Sequence, residues 1–282
     1  MDKMTSLFKD DNSSGFERAH YSWVRARYQE PEYLVYPNVA VQVIINPDAP
    51  DVKEELDAEP EPKWQGKENF FYTSSVDLCV IRRSDYLPFV AFEVDGPSHA
   101  KPRQKERDKF KDLLLKKAGI PLRRLPVSIE QQTQEERKAQ LEGAIDSLRG
   151  EPERSLEVER YRQNRRSILF GNHIREYFDL LNRMFYGDSC AVFPNLALHS
   201  IFPSHESKQL TPHAPRNLCA TGLVDFCVVG LPDFRPIVAF SINQDELKSK
   251  VFKHFGLPLV HFRKAEGEPS GVLNLIVPDH LT

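Results

Sequence analysis

Two carboxylates two residues apart close an otherwise apolar run, Val90-Ala91-Phe92-Glu93-Val94-Asp95. Side chains of an extended strand alternate between its faces, so Glu93 and Asp95 project together while Val90, Phe92 and Val94 point the other way. A preceding run, Val76-Asp77-Leu78-Cys79-Val80-Ile81, supplies a third acid. Paired as a hairpin, at about 4.8 Å between strands, it brings Asp77 to the same end of the sheet. Three carboxylates on one rim repel each other unless a cation neutralises them. A hard divalent ion such as Mg²⁺ or Mn²⁺ does that with oxygen ligands, keeping waters that can attack a phosphate.

The elements that must hold these residues occur twice. YPNVAVQVI (Tyr36 to Ile44) matches FPNLALHSI (Phe193 to Ile201), and VDLCVI from Val76 matches VDFCVV from Val224, an offset of 148. The same offset carries PFVAFEVD from Pro88 onto PIVAFSIN from Pro236, so two strands and their turn align without a gap. KDLLLKKAGIPL from Lys111 then matches KSKVFKHFGLPL from Lys248, after a deletion of most of the stretch GPSHAKPRQKE in the second copy. Repetition in fixed order predicts two tandem lobes of one α+β fold, each a mixed sheet flanked by helices. Each reads as an amphipathic helix (Phe16 to Tyr28; Ile174 to Phe185), a strand, a hairpin, a second helix and a short final strand. In the second helix, Phe110, Leu113, Leu114 and Ala118 fall on one face and Lys111, Asp112 and Lys116 opposite. Gly119 stops it, and Ile120-Pro121-Leu122 opens a strand expected to run parallel to the one before the helix.

With 38 Lys+Arg against 41 Asp+Glu in 282 residues, the net charge of -3 excludes a bulk polycation, so any basic surface must be local. One is local: from His99 to Pro126, ten Lys and Arg face three acids. Pro47 to Asn69 is acidic and proline-rich and reads as a mobile surface insertion, with an acidic partner motif or DNA-mimicking flap as the alternative; the second copy has a shorter, unrelated segment there. Ser128 to Arg166, rich in Glu, Arg and Gln, reads as a helical connector; its Arg160 to Arg166 run either extends a binding groove or is simply charged. Cys79, Cys190, Cys219 and Cys227 form no C-x-x-C pair and read as core thiols in a reducing cytoplasm. With no apolar run of about 18 residues and no apolar segment behind a basic N-terminus, neither membrane spanning nor secretion is expected.

Asp77, Glu93-x-Asp95-Gly96, His99, Arg107-Asp108 opening a helix that ends in Gly119-Ile120-Pro121, and Arg123-Arg124 after it together resemble the PD-(D/E)XK nuclease superfamily. The likeness is greatest to its very-short-patch-repair-like (Vsr-like) branch, including an uncharacterised bacterial domain family with an E-x-D-G-x-x-H signature. The resemblance covers Gly15 to Leu125 and, more weakly, the second copy. It implies a restriction-endonuclease-like fold, Mg²⁺ or Mn²⁺ as cofactor, and DNA as substrate, with RNA open to the same chemistry. Asp77 would bridge the metal, Asp95 would be a further ligand or the E-x-K-like position, and Glu93 a second ligand or water orienter. His99 would act as general base or position water, and Glu17, on the first helix, matches the helix glutamate that some members bring to the metal. The chain departs from the superfamily where Asp95 replaces the lysine of E-x-K: His99 or one of Lys101, Lys105 and Lys109 takes over its electrostatic role, or activity is reduced.

In the second copy Asp225 matches Asp77, but Ser241 stands for Glu93 and Asn243 for Asp95, and the His99 loop is missing, so this site is read as degenerate. The expected organisation is a nuclease-like domain over 1–126, a connector over 127–166 and a pseudonuclease-like domain over 167–282. Phosphate contacts are expected from Lys101, Arg103, Lys105, Arg107, Lys109, Arg123 and Arg124. The expected function is a metal-dependent DNA endonuclease whose inactive second lobe grips substrate or a protein partner, in repair or defence against foreign DNA. The alternative is a catalytically inactive nucleic-acid-binding or assembly module.

Overall fold

The computed structural model describes residues 7, 14–28, 31–58, 67–95, 102–126, 139, 143, 161–171, 174–185, 189–202, 218 and 222–262; for 14–19, 67–69, 95, 102–104 and 126 it describes the backbone alone. The chain forms two compact units, Asp11–Ile168 and Leu169–Thr282 joined by Met1–Asp10. The first contains α1 (Ser14–Arg27), β1 (Tyr33–Ala40), α2 (Val41–Ile44), α3 (Pro50–Asp57), α4 (Lys67–Thr73), β2 (Ser75–Arg82), β3 (Pro88–Asp95), α5 (Pro102–Lys117) and β4 (Leu122–Pro126). The second contains α6 (Ile174–Met184), β5 (Cys190–Ala197), α7 (Leu198–Ile201), β6 (Leu223–Gly230), β7 (Arg235–Ser241), α8 (Glu246–Phe255) and β8 (Leu259–His261). Leu7, buried in the second unit, donates its N–H to the Phe234 carbonyl at 3.1 Å.

Each unit is built on a four-stranded mixed sheet, ordered β1-β2-β3-β4 or β5-β6-β7-β8. The first three strands are antiparallel and the last is parallel to the third, reached through α5 or α8. The α+β class and the two tandem lobes therefore stand as the repeat implied. Even the irregularity is duplicated: β2 and β3 shift register between Val80 and Ile81, and β6 and β7 shift between Val228 and Val229. Val90 to Val94 are all buried because both faces of β3 are covered, which is why the run is apolar at nearly every position. Tyr28, just after α1, lies 6.4 Å from the Phe92 ring on one face; α5 covers the Glu93 face.

Three segments differ from the sequence reading. YPNVAVQVI is not strand throughout: β1 stops at Ala40, and Val41 to Ile44 make one helical turn whose four residues are all buried. A strand would have sent alternate residues outward; the turn keeps all four inside, with the Gln42 amide satisfied by the Tyr72 carbonyl at 3.1 Å. The acidic insertion is not merely a surface loop. Its Pro50–Asp57 stretch is helix α3, which buries Val52 and ties to α5 through Lys117 and Glu55 at 3.0 Å. Residues 59–66 lie outside the described residues, as does the connector from 127 to 160 apart from 139 and 143.

The end of the connector is more than a charged linker. Residues 161–168 dock onto the first unit, and the Arg165 guanidinium donates to the carbonyls of Ala118 (3.1 Å), Pro88 (3.2 Å) and Gly119. Fully buried Asn164 donates to the Lys117 carbonyl at 2.8 Å and to Asp51 at 3.0 Å. The orphan carbonyls at the C-terminus of α5 are thereby satisfied from a distant part of the chain. No described helix is long and apolar enough to cross a membrane.

Gly119 and Gly256 end α5 and α8 at φ of 65° and 72°, the left-handed region where a Cβ is penalised. Their surroundings differ. A Cβ at Gly119 would lie 2.5 Å from Tyr161 Cβ, whereas one at Gly256 would meet nothing within 4 Å. Gly256→Ala should therefore lose about 1 kcal/mol in urea denaturation, and Gly119→Ala clearly more; equal losses would show that the docked 161–168 segment does not constrain α5.

Candidate functional site

A single row of residues crosses the first sheet where its chemistry could lie. Leu78 pairs with Phe92 in the antiparallel β2-β3 ladder, which sets Asp77 opposite Glu93, and Glu93 pairs with Arg124 on β4. On β1, Asn38 falls opposite Asp77, between the pairs Pro37 with Leu78 and Val39 with Val76, at φ 49°. Asp77 accepts the Val94 N–H through Oδ2 at 2.7 Å. That bond ties the end of β2 to β3 just where the carboxylates sit.

Above the row lies Lys111 of α5. Its ammonium is 2.7 Å from Glu93 Oε1 and donates to the Ser75 carbonyl at 3.0 Å, with Lys111 only 6% and Glu93 2% exposed. Burial pushes the Glu93 carboxyl up to about 7, against the pull of Lys111; the Asp77 charge adds to the rise and Arg124 opposes it. Arg124 itself is held by Asp112 of α5 at 2.7 Å. Asp77 and Glu93 thus lie side by side on one face, with the Lys111 ammonium on Glu93 and Asp95 two residues further along β3.

The second lobe repeats the geometry with the charges removed. Asp225 Oδ2 accepts the Ile242 N–H at 2.8 Å, the counterpart of the bond from Val94 to Asp77. Ser241, fully buried in place of Glu93, has its hydroxyl 2.9 Å from both Asp225 Oδ2 and the Asn243 carbonyl. His261 takes the position of Arg124 and Ser249 that of Asp112, 3.3 Å apart. Where the first lobe has ion pairs, the second has a hydroxyl on the Asp225 carboxylate and a serine beside a histidine, and a hard cation would find a single carboxylate there.

The structure brings Asp77 and Glu93 together and puts Asp95 at the end of β3, two residues along the same face; the Asp95 side chain is outside the described residues. His99 and Lys101 lie wholly outside them, and Glu17 and Arg103 are placed only as backbone in α1 and α5. Among the described residues no three His, Cys, Asp or Glu side chains cluster as a metal site. Asp77 and Glu93 nevertheless offer side by side the carboxylate oxygens that a hard divalent ion takes. Of the expected phosphate contacts, Lys105 and Lys109 are exposed and Arg123 is half-buried, whereas Arg107 lies over the Phe70 ring at 4.9 Å and Arg124 is paired with Asp112. Asp112 therefore pairs across to β4, not with Lys116 along its own helix.

Lys111 is the residue that sequence reasoning misplaced, on the solvent face of α5. Asp108, Lys111, Leu115 and Ala118 form a second buried stripe at helical spacing beside Phe110 and Leu114. The signal was present in the sequence: Lys111 aligns with Lys248 within the repeated block, and 108, 111, 115 and 118 share one face.

Residues 16–144 match a family described as "Protein of unknown function (DUF2726)", a span that covers α1 through β4 and none of the second lobe. No curated protein and no solved structure matches the chain.

Because the folded-state pKa of Glu93 is raised, its contribution to stability is complete below the unfolded value near 4.5 and is lost as pH rises through about 7. Lys111→Met takes away the partner of the charged form. Measured by urea denaturation in EDTA, its destabilisation should be about 3–5 kcal/mol near pH 8 and distinctly smaller near pH 5, where Glu93 can protonate. The added substitution Glu93→Ser, as in the second lobe, should recover part of the loss. A pH-independent penalty would contradict the pairing.

Proposed function

We propose that the first lobe is a divalent-metal-dependent nuclease that hydrolyses phosphodiester bonds in DNA, and that the second is a charge-neutralised copy that aids substrate or partner binding. The observation that carries this reading is the buried Glu93–Lys111 ion pair beside Asp77. The nuclease pattern wants two acids and a lysine together; the lysine missing from the E-x-K position is supplied from α5. Asp77, Glu93 and Asp95 would hold Mg²⁺ or Mn²⁺, with Glu17 and His99 as further candidates. When bound, the ion supplies Lewis acidity and charge neutralisation to the phosphate. Lys111 favours the ionised form of Glu93 against the pull of burial, orients it, and places a positive charge where anionic charge develops in phosphoryl transfer. RNA offers the same bond and is the second substrate to test. Buried free thiols at Cys79 and Cys227 suit a reducing compartment such as the cytoplasm.

A rival reading draws on the same pair: a carboxylate already compensated by a lysine needs no metal, which suits a non-catalytic nucleic-acid-binding or assembly module. Calorimetric titration with Mn²⁺ separates the two, since only the nuclease takes up the ion.

Supercoiled, linear and single-stranded DNA incubated with Mg²⁺ or Mn²⁺ should be cleaved, and EDTA should stop the reaction. Glu93→Gln and Asp95→Ala should each lower the rate at least about 10²-fold, while Ser241→Ala in the second lobe leaves it unchanged. Cleavage that survives in both first-lobe variants would sink the assignment.

A further inference from the structure

We infer that the outward stripe of α5, Lys105, Lys109 and Lys116, is a track for a nucleic-acid backbone, an inference that rests on the nuclease reading of the neighbouring site. The structure sorts the basic stretch into committed and uncommitted cations. Lys111 is buried on Glu93, Lys117 pairs with Glu55, Arg124 with Asp112, and Arg107 stacks on Phe70. Lys105, Lys109 and Lys116 are exposed, and no ion pair joins them to a described residue.

These three are not scattered. With Asp112 they occupy positions i, i+4, i+7 and i+11, one stripe of the helix, and the one acid in it is neutralised by Arg124. Eleven residues at 1.5 Å each put about 16 Å between the ends of the stripe, which matches about five phosphates along one strand of a duplex at 3.4 Å of axial rise. A row of ammonium groups with no ion-pair partner among the described residues costs self-repulsion; a polyanion of this reach relieves it.

The second lobe supplies an independent comparison. At the position of Lys109, α8 carries Glu246; α8 starts there, leaving Lys105 without a counterpart, and only Lys116 is matched, by Lys253. The stripe therefore accompanies the carboxylate site and disappears with it, whereas the core positions of the same helix, Leu114 and Leu115 against Val251 and Phe252, are kept.

The test is equilibrium binding of a fluorescein-labelled 20-base-pair DNA duplex by anisotropy, in EDTA, over roughly 50 to 200 mM salt. For the full-length chain carrying Lys105→Gln, Lys109→Gln and Lys116→Gln, the slope of log affinity against log salt should shrink in magnitude by about 2.5–3, and for Lys109→Gln alone by about 0.9. The control Lys53→Gln with Lys250→Gln should leave the slope as in wild type. An unchanged slope in the triple variant, or binding to phosphatidylserine vesicles or polyglutamate stronger than to the duplex, overturns the inference. A parallel metal-dependent cleavage assay separates the two readings. Cleavage with an unaltered slope leaves the nuclease standing without this track, and a lowered slope without any cleavage does the reverse.

Discussion

A carboxylate and an ammonium removed from water together impose the strictest demand in this molecule. Burial costs each ion several kcal/mol even after relaxation, and only close, well-bonded geometry returns it. Glu93 and Lys111 meet that demand at 2.7 Å, with the Ser75 carbonyl taking a further ammonium hydrogen. For this contact to form, β3 must end beside β2, α5 must lie over the Glu93 face, and the axial position of α5 must be fixed. The Asp77 bond to Val94 meets the first requirement, the parallel crossover to β4 the second, and Arg165 with Asn164, holding the carbonyls of residues 117 to 119, the third.

The duplicated lobe shows what the fold needs when that demand is lifted. With Ser241 in place of Glu93 no buried carboxylate has to be matched, and Arg124 with Asp112 gives way to His261 with Ser249. The sheet order, the register shift, the positive φ at Asn38 and Asn195, and the left-handed helix stops all survive. Backbone devices are thus common property of the two copies, whereas the Glu93–Lys111 and Arg124–Asp112 ion pairs give way at the matching positions to Ser241 and to His261 with Ser249. That separation is what a scaffold retaining its packing while losing its charge chemistry would display.

Much of this was readable from the sequence because repetition fixes element order without any appeal to propensity. Two runs that align over both strands and their turn must fold alike, and alternation within VAFEVD assigned Glu93 and Asp95 to one face. Lys111 escaped because charged residues are expected outside and the Phe110, Leu113, Leu114 and Ala118 stripe already explained the helix. A helix covered on more than one side has two buried stripes, and a lysine in the second is tolerated only when an acid from another element reaches it. Nothing local announces that acid, 18 residues away. The docking of residues 161–168 is non-local in the same way: Arg165 and Asn164 bond to carbonyls some 46 or 47 residues earlier, and composition alone called the segment a charged connector.

The persistence of Asp225 bears on how the first site is to be interpreted. In a lobe that lacks the acids matching Glu93 and Asp95, Asp225 has a structural task, accepting the Ile242 N–H at the end of β7. Asp77 makes the same bond, so its carboxylate serves the hairpin whether or not it also holds a cation. Removing it would strip a buried donor of its partner, a loss of about 1–3 kcal/mol, and would move Val94 and its neighbours along with any ligand geometry. Loss of activity on changing Asp77 therefore carries little weight about catalysis. Glu93 differs: its position in the second lobe is filled by a neutral serine in an equally buried and satisfied setting, so the fold does not require an acid there. The buried acid and the lysine that matches it are therefore an addition of the first lobe to a fold that stands without them.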